Sequence, residues 1–204
     1  MIIIVLLIIW IYLFLENNTL EVSKYKIEKS NLPKAFEDYK IAHISDFHNT
    51  KSKKLKTSIL KSLEEEKHDI LVITGDLIDS YHTHIDISLE FIEKIQDIPI
   101  YYVAGNHESR IEEYSVFKKR LKKISNVTVL ENEMISLTKN NHNINLIGLQ
   151  DPTFETGETN TEEMTTIVDN YLKKYRNLDS EVLVDLERLI ELESDADVQK
   201  YNEL

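Results

Sequence analysis

"DILVITGDLID", residues 69–79, decides how this chain is to be read. The unbroken apolar run from Ile70 to Ile73 is what a strand carries when both faces of a parallel sheet are covered. Gly75 and Asp76 then turn it polar within two residues, and Asp79 follows. Taken alone, a glycine and a carboxylate after a strand make an ordinary turn. The weight comes from repetition. "YKIAHISDFHN" (39–49) runs from an apolar stretch into Asp46 and His48, and "IYYVAGNHE" (100–108) runs from another into Asn106 and His107.

Working outward, the segments between these runs read as helices. Lys53 to Glu66 sets Leu55, Ile59, Leu60 and Leu63 on one face, and Ile85 to Ile95 is amphipathic. Ile111, Tyr114, Phe117, Leu121 and Ile124 recur at helical spacing. From Leu20 onward the pattern is strand ("LEVSKYKIE"), strand, then alternating helix and strand, an α/β chain. Residues 127–152 are expected to be more β-rich, with a hairpin turning at Asn140-Asn141. Beyond Pro152, Thr161 to Tyr175 and Ser180 to Leu192 are expected to be helical.

Asp46, Asp76 and Asn106 are spaced 30 residues apart, about one βαβ unit. The polar clusters therefore recur once per unit, just past the carboxyl end of a strand, where open α/β sheets bind ligands. Carboxylates, imidazoles and an amide suit Mn, Fe or Zn, and with no cysteine in the chain a thiolate site is excluded. Asp46 and His48, one residue apart, can point the same way on extended chain. Asp76, at the central strand end, is placed to bridge two ions, and two metals about 3.5–4 Å apart activate water and clamp a phosphoryl oxygen. His107 is expected to protonate a leaving oxygen or stabilise transition-state charge, with Asp79 orienting its ring. Singly, Asp46 reads as well as a helix cap, Asp79 as a turn residue and His48 as an exposed histidine.

The three motifs together, Asp46-Phe47-His48, Gly75-Asp76-Leu77-Ile78-Asp79 and Gly105-Asn106-His107-Glu108, resemble those of the calcineurin-like metallophosphoesterase superfamily. The closer resemblance is to bacterial membrane-associated members, on "KIAHISDFHN", "INLIGLQDP" and the apolar N-terminus. It covers residues 20–155. It implies an α/β fold, a double β-sandwich flanked by helices (αββα), and hydrolysis of phosphomonoesters, phosphodiesters or pyrophosphates with two divalent ions. By the same resemblance Asp46 and His48 hold the first metal, Asp76 bridges, Asn106 holds the second, and His107 with Asp79 is the catalytic pair. The family's later histidines, including a G-H-x-H motif, have no counterpart here. The last histidine, His142, lies in a turn and is expected to be merely solvated. His82 and His84 are the candidates for replacement ligands, and the sandwich is expected to be incomplete at its C-terminus.

Residues 1–15 carry no charged side chain. As a helix they would span about 22 Å, against a hydrocarbon core of about 30 Å. Extended to residue 19, with Trp10 and Tyr12 at the interface, the segment is expected to be an uncleaved transmembrane anchor that places membrane lipid among the partners. Residues 156–204 form an acidic tail. Of the net charge of −12, residues 155–204 supply −9, from 14 acidic and 5 basic side chains. The lysine clusters at 51–56 and 118–123 lack interleaved stacking aromatics, so they read as solvated helix faces and no nucleic-acid partner is expected. Two other readings compete with a membrane-anchored phosphoesterase. One is a catalytically inactive remnant of such an enzyme; the other is a tethered interaction protein that docks through its acidic tail.

Overall fold

The computed structural model describes residues 3–7, 9, 19–27, 32–157, 166, 170, 173 and 183–184. The chain forms a parallel sheet of four strands, ordered β1-β2-β3-β4, from Ile41–Ile44, Ile70–Thr74, Ile100–Val103 and Val127–Val129. Helices α1 (Lys53–Glu66) and α2 (Ile85–Ile92) make the first two crossovers. The third passes through a single turn, α3 (Asn106–Ser109), and α4 (Tyr114–Leu121). Ser52 caps α1, its side chain accepting the Leu55 N–H, and Lys67 ends it in the left-handed conformation that closes many helices.

The alternation of side chains along a strand divides the core in two. Leu71 and Ile73 of β2, with Ile100 and Tyr102 of β3, face the helices and pack with Leu63, Leu89, Ile92, Phe117 and Leu121. Ile70, Val72, Tyr101 and Val103 face the other way, onto Leu137, Ile144 and Leu146 of a second sheet. That both faces are covered is why these runs are apolar throughout. The second sheet, ordered β5-β6-β7, joins Glu133–Lys139 and His142–Gly148 as an antiparallel hairpin to Leu183–Val184. Asn140 and Asn141 both have positive φ, as a two-residue hairpin turn requires, so the turn falls where the sequence places it. A short helix, α5 (Thr153–Thr156), follows the hairpin.

The expected α/β architecture is therefore present as helix, parallel sheet and second sheet. The departures have physical causes. Residues 20–27 form no strand; neither sheet lends them a hydrogen-bonding edge, and Val22, Tyr25 and Ile27 stay more than half exposed. An ion pair from Lys24 to Glu66 at the end of α1 ties this segment down instead. Within the helix expected from Ser180, the described pair Leu183–Val184 is strand instead, pairing in parallel with Asn145 and Leu146. There the open edge of β6 outcompetes local helical periodicity, and a downstream segment supplies a strand to the sandwich. Residues 166, 170 and 173 are helical. The rest of the acidic tail, on which the expected helices fall, lies outside the described residues. Residues 3–7 and 9 are helical and exposed, and most of the expected anchor also lies outside them. Among the described residues no helix is long and apolar enough to cross a membrane.

Candidate metal centre

Three adjacent parallel strands end side by side, and the motif residues occupy the loops just past those ends. Two glycines allow the loops to meet. Gly75 has φ +90°, and a Cβ there would collide with the Cα of Gly105. A Cβ on Gly105 would in turn collide with the carboxylate of Asp76. Only hydrogen at both positions lets the β2 and β3 loops approach this closely.

The loop backbone is unusual. Asp46, His48, Asn49 and Asp76 all have positive φ, a conformation costly for residues with a Cβ and concentrated at functional sites. Cross-loop hydrogen bonds hold it: the N–H groups of His48 and Asn49 donate to the carbonyls of Asp76 and Leu77, each at 2.8 Å. Beneath them sits Glu108, fully buried. Its Oε2 accepts the N–H groups of Asp76 and Gly105, both at 2.9 Å, and its Oε1 accepts that of Ile78 at 3.0 Å. Burial pushes its carboxyl up to about 7, against the pull of the Ile78 N–H. Asn49, also buried, joins two further loop segments, its Oδ1 accepting the Asp79 N–H (2.7 Å) and its Nδ2 donating to the His82 carbonyl (3.1 Å).

On this frame His48, Asp76 and His107 converge, offering ligand atoms all within 4.8 Å of one another. The imidazoles of His48 and His107 meet edge to face at 4.5 Å. Asp76 is half-buried, and burial raises its pKa even though the backbone N–H of His107 donates to its Oδ1 at 3.0 Å. A partly buried carboxylate flanked by two imidazoles, with no lysine or arginine among the described residues bonded to it, is a donor set fitted to a divalent cation. Asp46 stands at the exposed lip, its Oδ1 3.4 Å from His48 Nε2. Asn106 opens α3 beside His107.

His107 has Asp79, its expected partner, within ion-pair distance, and Ser80 closer still. Its Nδ1 accepts the Ser80 N–H at 3.0 Å, with the Ser80 hydroxyl at 3.1 Å and Asp79 Oδ1 at 3.7 Å. Asp79 is occupied by the Tyr81 N–H and the His82 imidazole, the first of which does most to lower its pKa. His82 thus lies near the rim, bound to Asp79 and largely exposed. His84 caps α2 without a side-chain bond, and His142 Nδ1 bonds the Asn140 carbonyl at the hairpin, away from these loops. Sequence reasoning passed over Glu108, Asn49 and Ser80. Asn49 and Glu108 stand inside the quoted stretches, but their burial, which marks them as supports, is visible only in the fold.

A family model described as calcineurin-like phosphoesterase matches residues 39–197. A metallophosphoesterase of Aquifex aeolicus (strain VF5), named as uncharacterized, is 36% identical over 100 residues, 48% of this chain and 38% of that one. The similarly named YkuE of Bacillus subtilis (strain 168) is 37% identical over 76 residues, 35% of this chain and 26% of that one. The chain thus spans well under half the length of these curated relatives. Among solved structures, TT1561 of Thermus thermophilus superposes with a TM-score of 0.48 at 14% identity, over 68% of this chain and 62% of that one. Phosphopantetheinyl hydrolase (PptH) from Mycobacterium tuberculosis does so with a TM-score of 0.41 at 17% identity, over 69% and 52%.

Proposed function

This chain belongs to the calcineurin-like phosphoesterase family, and on that premise we propose that it hydrolyses a phosphoester, whether a mono-, di- or pyrophosphate, at a site for two divalent metal ions. The observation that carries the proposal is the approach of His48 and Asp76 at neighbouring strand ends, with the His107 imidazole beside them to meet the phosphoryl group. Asp46 and His48 would hold one ion, Asp76 would bridge, and Asn106 would hold the second. Bound Mn, Fe or Zn lowers the pKa of coordinated water and neutralises phosphoryl charge.

The remaining work falls to the chain. Water oxygen bonds to phosphorus and the ester P–O bond breaks. One water proton goes to the departing oxygen and the other to solvent. The Ser80 N–H donates to His107 Nδ1, which leaves Nε2 as the ring nitrogen free to face the phosphoryl group. A donor at Nε2 stabilises charge on the phosphoryl and leaving oxygens. Asp79 acts one step removed, fixing the Ser80–His82 loop through its bonds to Tyr81 and His82. The anchor over residues 1–19 belongs to the same proposal and would hold the site near a membrane.

A second reading, a relative that binds metal weakly and turns nothing over, draws on the donor set itself: among the described residues a single group of three side chains, His48, Asp76 and His107, is gathered, fewer than two ions need. Elemental analysis of the full chain from manganese-supplemented cells separates the two. Close to two ions per chain, lost together with phosphodiesterase activity in Asp76→Asn, is the expected result. The activity loss should exceed the roughly 100-fold ceiling of an outer-sphere defect. Turnover unchanged by Asp76→Asn would sink the two-metal mechanism, and metal content near zero would establish the second reading.

A further inference from the structure

Tyr81 is 79% exposed, and of the large exposed hydrophobic side chains among the described residues it is the one whose ring contacts the imidazole of His107. The two rings stand at 5.9 Å and 75° to one another, continuing the row begun by His48 and His107. The loop under Tyr81 is fastened at several points. Its own N–H donates to Asp79 Oδ1 at 2.9 Å, the next carbonyl accepts from Asn49, and the Thr83 hydroxyl donates to the Asp79 carbonyl at 3.3 Å. A bare aromatic face on a fastened loop, beside the ring nearest the reaction, does nothing for the core. It does offer a preorganised surface for another flat group.

We propose that Tyr81 is a positioning residue that stacks the esterified group of the substrate, and that this group is a flat aromatic system, aryl or nucleobase-like, close to the phosphorus. The assignment rests on the hydrolase reading above and deepens it. With phosphate at His48, Asp76 and His107, the substituent that leaves past His107 meets the Tyr81 ring first. Ring-to-ring packing operates at centroid separations of about 4.5–7 Å, the range in which Tyr81 and His107 already stand. A substituent without a ring gains little there.

Manganese-loaded full-length protein is assayed with bis(4-nitrophenyl) phosphate and with glycerophosphoethanolamine, a phosphodiester without a ring. Calorimetric titrations with phenylphosphonate and methylphosphonate run in parallel. Tyr81→Ala is expected to raise KM for the aryl ester about tenfold, the order one stacked ring supplies, with kcat within about twofold. Tyr81→Phe keeps the native KM, and the ringless ester is indifferent to both changes. Phenylphosphonate binds the native protein more tightly than methylphosphonate and loses that advantage in Tyr81→Ala. Equal losses on both esters, or none on either, overturn the role of Tyr81 and leave the hydrolase reading intact. Absence of native turnover overturns the hydrolase reading, and the phosphonate pair then decides the stacking surface alone: equal native affinities overturn it.

Discussion

Glu108 Oε2 accepts the backbone N–H of Asp76 at 2.9 Å, joining residues 32 positions apart that follow different strands. The same oxygen takes the Gly105 N–H and its partner oxygen takes that of Ile78. One buried carboxylate therefore sets where the central ligand loop sits relative to the loop of His107.

Glu108→Gln replaces two acceptor oxygens by one and turns an amide N–H against a backbone N–H. Leaving one buried donor unmatched should cost about 1–3 kcal/mol, read by urea unfolding of the chelated protein. A change of only a few tenths would mean the loops hold themselves.

The pH dependence of that cost has a definite sign. Burial raises Glu108 from the ordinary 4.5 to about 7, so the folded state holds the proton more tightly than the unfolded chain does. The resulting stabilisation is complete below about 4.5 and is lost as pH rises through about 7. The stability gap between the native protein and Glu108→Gln should narrow across that window in metal-free buffer. A gap that widens would show that the three N–H donors outweigh burial.

The two glycines should fail differently. Gly75→Ala forces a side chain into positive φ and against backbone, so stability falls, by about 1–3 kcal/mol. Gly105, at φ −94°, accepts alanine conformationally, and its Cβ strikes chiefly the Asp76 carboxylate and, less severely, the Asp76 backbone nitrogen, at 2.8 Å. Metal affinity should therefore drop by about 10–100-fold, with a smaller change in unfolding midpoint. Equal effects of the two variants on metal affinity and stability would refute this division.

Asn49→Ala frees the Asp79 N–H and the His82 carbonyl inside the loop that carries Tyr81. The expected loss is about 1–3 kcal/mol of stability, together with faster amide exchange at residues 79–82. Unchanged exchange there would show that Asp79 alone fixes the loop.

The parallel sheet was legible because both of its faces are covered. The apolar run of residues 70–73 has no polar face to show because none is exposed, and α1 begins and ends at Lys53 and Glu66, where the spacing of Leu55, Ile59, Leu60 and Leu63 places it. The chemistry-bearing residues were legible because they recur at one βαβ period. Residues 20–27 misled because apolar and polar side chains alternate there with no sheet edge to receive them. Val127–Val129 was read with the hairpin, yet it closes the parallel sheet beside β3, since three residues carry too little pattern to name a partner. The support under the site was hidden for a different reason. Glu108 and Asn49 accept backbone N–H groups some 30 residues away, Ser80 gives its own N–H to the distant His107 ring, and a residue type says nothing of which distant group it will meet.

The close passage of Gly75 over Gly105 also bears on how the protein is assembled during folding. A segment ending at Asp79 contains Asp46, His48 and Asp76, but neither the Glu108 carboxylate nor the Gly105 surface against which the Asp76 loop is shaped. Strong cation affinity should therefore emerge only once the third strand has docked on the second, late in a sequence of contacts with wide separation along the chain. Capture of a metal ion would then report, in a refolding experiment, the moment at which three separately encoded βα units become a single surface.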